Sequence, residues 1–296
     1  MVCSSQPLYL KRKRVTAVIL SVYGDESADA QERRVFAVAG IVGTDDRWDE
    51  LEKKWTYRTG SVPFHANNCD SDLGDYSSSK TGLDEDTNHH NNKVLYADLS
   101  NLLANSGLYG WGVAIDLLAA NRILPEVRIL PYYKGFIDVV AAMKQLTREY
   151  PEATLRFTFD SRIESEHNAG ILYGMLRETP ENERLSPEVS FACSRKQARV
   201  QAADLLAREV MKCLDNVIGP SKRPPRKSWI ALKQTKRFAC RSVEDTEFLR
   251  VRIQMEELEK KHSTTKEYRD WIERNNLQEN VTNLFRFVHF VLPKYR

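Results

Sequence analysis

Four carboxylates and one histidine stand where side chains from distant parts of the chain can meet: Asp25, Glu26, Asp160, Asp204 and His65. The run Val15–Val22 is almost wholly apolar, as expected of a central strand buried on both faces, and it leads through Gly24 into Asp25-Glu26. Adjacent carboxylates at the end of a buried strand repel each other unless a cation neutralises them, so a metal ion explains the pair better than a plain turn does. Asp160 closes the alternating run Thr154–Asp160, in which Leu155, Phe157 and Phe159 face one way and Arg156, Thr158 and Asp160 the other. An aspartate at a strand end also serves as a turn or helix-cap residue. Asp204 falls on a helix whose apolar stripe is Val200, Ala203, Ala207, Val210 and Leu214. It lies roughly 90° from the stripe centre, beside Gln197, Gln201 and Arg208, where it can lean over a sheet edge or pair with Arg208 on a solvated flank.

His65 stands between an apolar anchor, Val62-Pro63-Phe64, and a polar stretch. A histidine there suits activation of water or protonation of a leaving oxygen, as well as a purely structural role. Asp116 ends a third strand but is expected roughly 10 Å from Asp25, two strand spacings away, and reads better as a cap for the following helix. His65 with Cys69, and His89 with His90, match no closed four-ligand zinc pattern. Hard carboxylate oxygens favour Mg²⁺ or Mn²⁺, and such ions suit in-line displacement at a phosphodiester.

The elements that must position these residues alternate in kind. Two strands joined by the short polar linker Ala28–Arg34 form a hairpin, and a helix follows with Trp48, Leu51 and Trp55 on one face. Residues 67–92 are polar and read as a long loop, with a helix from about Lys93 to Ala104. Strand 108–115, helix 132–149, strand 154–160, helix 167–176, strand 188–193 and helix 200–214 complete an α/β core with a mixed five-stranded sheet flanked by helices. The organisation expected is a basic lead over 1–14, a core over 15–216, a basic Pro-containing linker over 217–241 and a helical extension over 242–296. The extension is expected to open at a Ser242…Asp245 cap. It is read as a cover for the sheet, a clamp on substrate, or the surface of a homo-oligomer. The linker's Lys222, Arg223, Arg226 and Lys227 read either as phosphate-backbone contacts or as a solvated, flexible stretch.

Bulk properties narrow the classes. Of 296 residues 42% are hydrophobic and 29% charged, and a net charge of +3 leaves a polyanionic partner to be argued from local clusters. No run of about 18 apolar residues suggests a membrane span, and no secretory signal is visible. Five scattered cysteines fit reduced thiols and a cytoplasmic location. No P-loop, dinucleotide-binding turn or nucleophile elbow is present.

Several motifs, in order, resemble the family named domain of unknown function 3800. They are Tyr23-Gly24-Asp25-Glu26-Ser27, Phe36-Ala37-Val38-Ala39-Gly40-Ile41-Val42, Phe64-His65-Ala66, Phe159-Asp160, Phe191-Ala192-Cys193-Ser194 and Gln201-Ala202-Ala203-Asp204-Leu205-Leu206-Ala207. The resemblance covers residues 15–215 and implies a ribonuclease H-like fold, with members found in bacterial mobile-element or defence settings. In such folds the first strand, the fourth strand and the last core helix each give an acidic metal ligand. The matching positions are Asp25, Asp160 and Asp204, with Glu26 adjacent. The family's extra glutamate on the first core helix has no match here, and Glu26 or Asp116 would substitute for it. The expectation is a Mg²⁺- or Mn²⁺-dependent nuclease acting on DNA or RNA. The alternatives are a non-catalytic nucleic-acid- or protein-binding module on the same fold, and a small-molecule phosphohydrolase.

Overall fold

In the computed structural model the described residues run from 18 to 262, apart from 30, 32, 126–129, 162 and 179–181. The basic lead over 1–14 and residues 263–296 of the helical extension lie outside them, and with them part of the surface expected to form an oligomer.

The first two strands, β1 (Ile19–Ala28) and β2 (Val35–Gly43), pair antiparallel from Ser21↔Gly43 to Ala28↔Phe36. Their connection is held by one side chain. Asp29 Oδ1 accepts the main-chain N–H groups of Arg33, Arg34 and Val35 at 3.0, 2.9 and 3.1 Å, closing the hairpin as the short polar linker predicts. Helix α1 (Asp45–Thr59) buries Trp48, Leu51 and Trp55, the stripe expected of it. The polar stretch that follows is not a long loop. It folds into α2 (Ala66–Asp70), a single 3₁₀ turn (Gly74–Tyr76) and α3 (Ser78–Thr81), and α4 (Glu85–Ala104) begins well before Lys93. The difference arises because Ala66, Cys69 and Tyr76 anchor the stretch in the core and polar side chains bond the rest. Asp84 caps α4 at the Thr87 N–H, and the buried amides of Asn88 and Asn92 both donate to the Tyr76 carbonyl.

Next come β3 (Tyr109–Asp116), α5 (Leu117–Ile123), α6 (Leu130–Leu146), β4 (Thr154–Asp160), α7 (Ile163–Arg177), β5 (Ser190–Ala192) and α8 (Ala198–Ile218). Asp116 Oδ1 accepts the Ala119 N–H at 3.0 Å, so this carboxylate caps α5 as expected. After α8 the chain departs from the expected linker and helices. The region 217–241 is not a linker, and Ser242 does not open a helix. Helix α9 (Lys227–Gln234) packs against α4, and β6 (Phe238–Val243) pairs parallel with β3 from Gly110↔Phe238 to Ile115↔Val243. Helix α10 (Asp245–His262) then packs on α5. A six-residue edge strand with Arg241 and Ser242 inside it carries little period-2 apolar signal, and its partner strand lies more than a hundred residues away.

The sheet is therefore six-stranded and mixed, in the order β5-β4-β1-β2-β3-β6. Two cores cover its faces. Leu20, Val22, Phe157 and Phe159 face the core under α5, α6 and α7, whereas Tyr23, Ala37, Ala39 and Ile41 face α1, α4 and α8. Among the described residues no helix is long and apolar enough to cross a membrane.

Candidate active site

The acidic pair does not follow β1; it lies within it. The parallel pairing of β1 with β4 ends at Gly24↔Phe159, while the antiparallel pairing with β2 continues to Ala28↔Phe36. Beyond Gly24 the β4 side of β1 is thus open, and a cleft of about 360 Å³ forms there. Gly24 is needed for the approach, since a Cβ at that position would stand 2.3 Å from a ring carbon of the buried Phe159.

All five candidate residues line this cleft, together with Ser27, Asp29, Asn67 and Ser194. Strand alternation sets their faces. Asp25 pairs with Ala39 in register and Glu26 with Val38, and those two partners belong to opposite cores. Asp25 therefore sits on the face covered by α8, and Glu26 on the other. Asp160 lies opposite Phe159 in its strand, which puts it on the α8 face with Asp25, each one residue beyond the last β1–β4 pair. Asp204 comes down on the same face from α8. The pair adjacent in sequence is split by the pleat, while Asp25, Asp160 and Asp204 share a side.

Each of these three aspartates is oriented by a main-chain N–H. Asp25 Oδ1 accepts from Glu26 at 2.7 Å, Asp160 Oδ1 from Ser194 at 2.8 Å and Asp204 Oδ2 from Ala66 at 2.8 Å. The other oxygen of each takes no hydrogen bond from a described residue. Gln201, one turn before Asp204 on α8, ties the surroundings together. Its Oε1 accepts from Trp55 Nε1 and the Phe64 N–H at 3.0 and 3.2 Å, and its Nε2 donates to the Ser194 carbonyl at 2.8 Å. His65 Nδ1 lies 3.8 Å from Asp204 Oδ2, with its ring half exposed at the cleft mouth.

Asp204 is not paired with Arg208, the bland reading of their spacing. Arg208 instead reaches Asp70 at 3.0 Å, and Asp70 is also gripped by Arg226 at 2.7 and 2.9 Å. Arg226 lies over the Tyr96 ring, 4.9 Å from its centroid, and 3.3 Å from the fully buried Glu209. Arg223 is bound to Asp215 at 2.7 Å. Of the segment expected to contact phosphate, Arg226 is thus consumed inside the protein, and the exposed Arg223 is paired with Asp215. Arg226, with Arg208 of α8, fastens α2, and with it His65 and the Ala66 N–H, against α8. Cys69 Sγ donates to the Asn92 carbonyl, and burial pushes its thiol up to about 12; His89 Nδ1 lies 2.6 Å from Asp72.

Electrostatics mark the cleft as strained. Burial, then the charges of Asp204, Glu26 and Asp160, hold the Asp25 carboxyl well above the ordinary range. Burial also raises Asp204, with His65 and the Ala66 N–H pulling the other way and Asp160 adding to the rise. The two aspartates are only 6% exposed. Hard oxygen donors with one free oxygen each suit Mg²⁺ or Mn²⁺ in kind. In spacing they stand apart: among the described residues no three His, Cys, Asp or Glu side chains are close enough to hold a metal ion as they lie.

Asn67 and Ser194 were not singled out in sequence as site residues. Ser194 falls inside a quoted motif, but only the fold shows that its N–H orients Asp160. No family model matches the chain, and no curated protein or solved structure does either.

Proposed function

We propose that this protein is a divalent-metal-dependent nuclease with a ribonuclease H-like core. The observation that carries the reading is that Asp25, Asp160 and Asp204 arrive at one cleft, on one face of the sheet, from β1, β4 and α8. The strand order β5-β4-β1-β2-β3, antiparallel over β1–β3 and parallel for β4 and β5, is the arrangement expected of that core, with β6 added at the far edge. Asp25, Asp160 and Asp204 would hold one or two Mg²⁺ or Mn²⁺ ions. Such ions, when bound, activate water and stabilise the leaving oxygen of an in-line displacement. Glu26 adds negative charge from the opposite face. His65 sits at the mouth, its Nδ1 3.8 Å from Asp204 Oδ2, and would donate a proton to the leaving oxygen. Arg195 and Lys196 follow the cleft-lining Ser194, are exposed, and have no carboxylate partner among the described residues, so they suit a phosphate backbone passing over the carboxylates.

A non-catalytic binding protein on the same fold is the second reading, favoured by the separation of the carboxylates. Mn²⁺ calorimetry joined to cleavage of single-stranded, duplex and hybrid substrates distinguishes the two. Asp25→Asn, Asp160→Asn and Asp204→Asn are each expected to abolish cleavage and weaken Mn²⁺ binding at least tenfold. Unchanged Mn²⁺ binding and cleavage in all three variants would rule out the nuclease. Cleavage of phosphate monoesters alone would make the protein a small-molecule phosphohydrolase.

A further inference from the structure

Two cysteines that take no part in the carboxylate cleft face each other on the other side of α8. Cys240 of β6 is in register with Gly112 of β3, so the two residues project to the same face. That face is the one under α8, since a Cβ at Gly112 would stand 2.7 Å from Val210 Cγ2. Cys213 follows Val210 by three residues on the same helix surface, which brings its thiol down beside Cys240. Both thiols are partly buried and packed against the same core, and each acts on the other's titration. The Lys233 ammonium of α9 acts on both, and the Glu209 carboxylate opposes it at Cys213.

We propose that Cys213 and Cys240 form a redox-active dithiol that a hydroperoxide converts to an intramolecular disulfide, joining edge strand β6 to the helix that carries Asp204. Cys213 is the attacking residue. The neighbouring Cys240 thiol and the charge of Lys233 bring its thiol down to about 7, against burial and Glu209, so much of it is thiolate at neutral pH. The neighbouring Cys213 sulfur and burial hold Cys240 protonated. The Cys213 thiolate attacks one peroxide oxygen and the O–O bond breaks. Sulfur is oxidised to sulfenic acid, and the other oxygen leaves as an alcohol or water after taking a proton. The sulfenic acid is neutral, so the charge that kept Cys240 protonated is gone. Cys240 then loses its proton and attacks the Cys213 sulfur; the S–O bond breaks and water departs. Two thiols and one hydroperoxide give one disulfide, one alcohol and one water. Of the remaining described thiols, Cys69 is buried and held protonated, and Cys193 is exposed and lies outside the pair.

The test uses the full chain, reduced, desalted and treated with a small molar excess of hydrogen peroxide, then alkylated and mapped by mass spectrometry without reductant. The expected result is a Cys213–Cys240 cross-linked peptide lighter by two hydrogens, lost on adding dithiothreitol. Cys240→Ser should stop at a sulfenic acid on Cys213 that dimedone traps, and Cys213→Ser should leave Cys240 unlabelled. Oxidation at Cys193 while Cys213 and Cys240 both remain alkylatable would overturn the proposal, as would labelling of Cys240 in the Cys213→Ser protein. The map of the unsubstituted protein decides the matter even if a variant fails to fold.

Discussion

A carboxylate that is buried among other carboxylates makes the folded state hold protons that the unfolded chain releases. Asp25 and Asp204 are both raised in this way, by burial first and by neighbouring charge second. Between the ordinary carboxyl value and the raised ones the native state binds more protons than the unfolded state, so stability falls as pH rises through that window. The metal-free protein should therefore have a lower thermal midpoint at neutral than at mildly acidic pH. Asp25→Asn should flatten that decline and raise the midpoint at pH 7 in chelator by about 2–4 °C, the shift that about 1 kcal/mol produces in a domain of this size. The same variant should lose the stabilisation that added Mn²⁺ gives the parent. Calorimetric scans across pH, with chelator and with Mn²⁺, check both. A midpoint for Asp25→Asn below that of the parent in chelator would mean that the Asp25 carboxylate stabilises the fold.

The open side of β1 beyond Gly24 is what turns a sheet edge into a cleft. Gly24→Ala should cost roughly 1–3 kcal/mol, because the added methyl meets the packed Phe159 ring, and it should separate Asp25 from Asp160 as β1 and β4 shift. Urea denaturation gives the first effect and Mn²⁺ affinity the second. Across α8, the short helix α2 is held by Asp70 between Arg208 and Arg226. Arg226→Met should destabilise the protein by roughly 3–5 kcal/mol, because Asp70 and the buried Glu209 both lose a partner. It should also reduce cleavage in the fraction that stays folded, since the His65 end of α2 is no longer pinned.

For the molecule as a whole, residues 219–243 are structural. The segment once read as a linker supplies the Arg226 clamp, helix α9 with its buried Trp229 and Leu232, and the strand that covers the edge of β3. A fragment ending at residue 218 should therefore not behave as an independent core. It exposes the main-chain groups of β3 and leaves Asp70 and Glu209 short of cations, so it is expected to associate and to unfold at markedly lower urea than the whole chain. Sedimentation and urea titration of the fragment measure this directly; a monomeric fragment as stable as the full chain would show that 18–218 is self-sufficient.

Local pattern was enough to read β2, β3, β4, α1 and α8, because each carries its own periodicity and can be read within its own residues. It was also enough to place Asp160 on the face opposite Phe159, and to make Asp25, Asp160 and Asp204 the residues to watch. Pairing decided the rest. Whether β1 stops before Asp25 or runs through it depends on β2, which pairs on to Ala28, and not on β1's own apolar run. The pleat then sends Glu26 away from its sequence neighbour. The short helices of 67–92 rest on amides that bond to distant carbonyls, β6 exists because β3 offers it an edge, and Arg226 is spent on Asp70 and not left for phosphate. These are long-range bonds between groups whose own sequence context is polar and aperiodic, and only the tertiary structure brings the partners together.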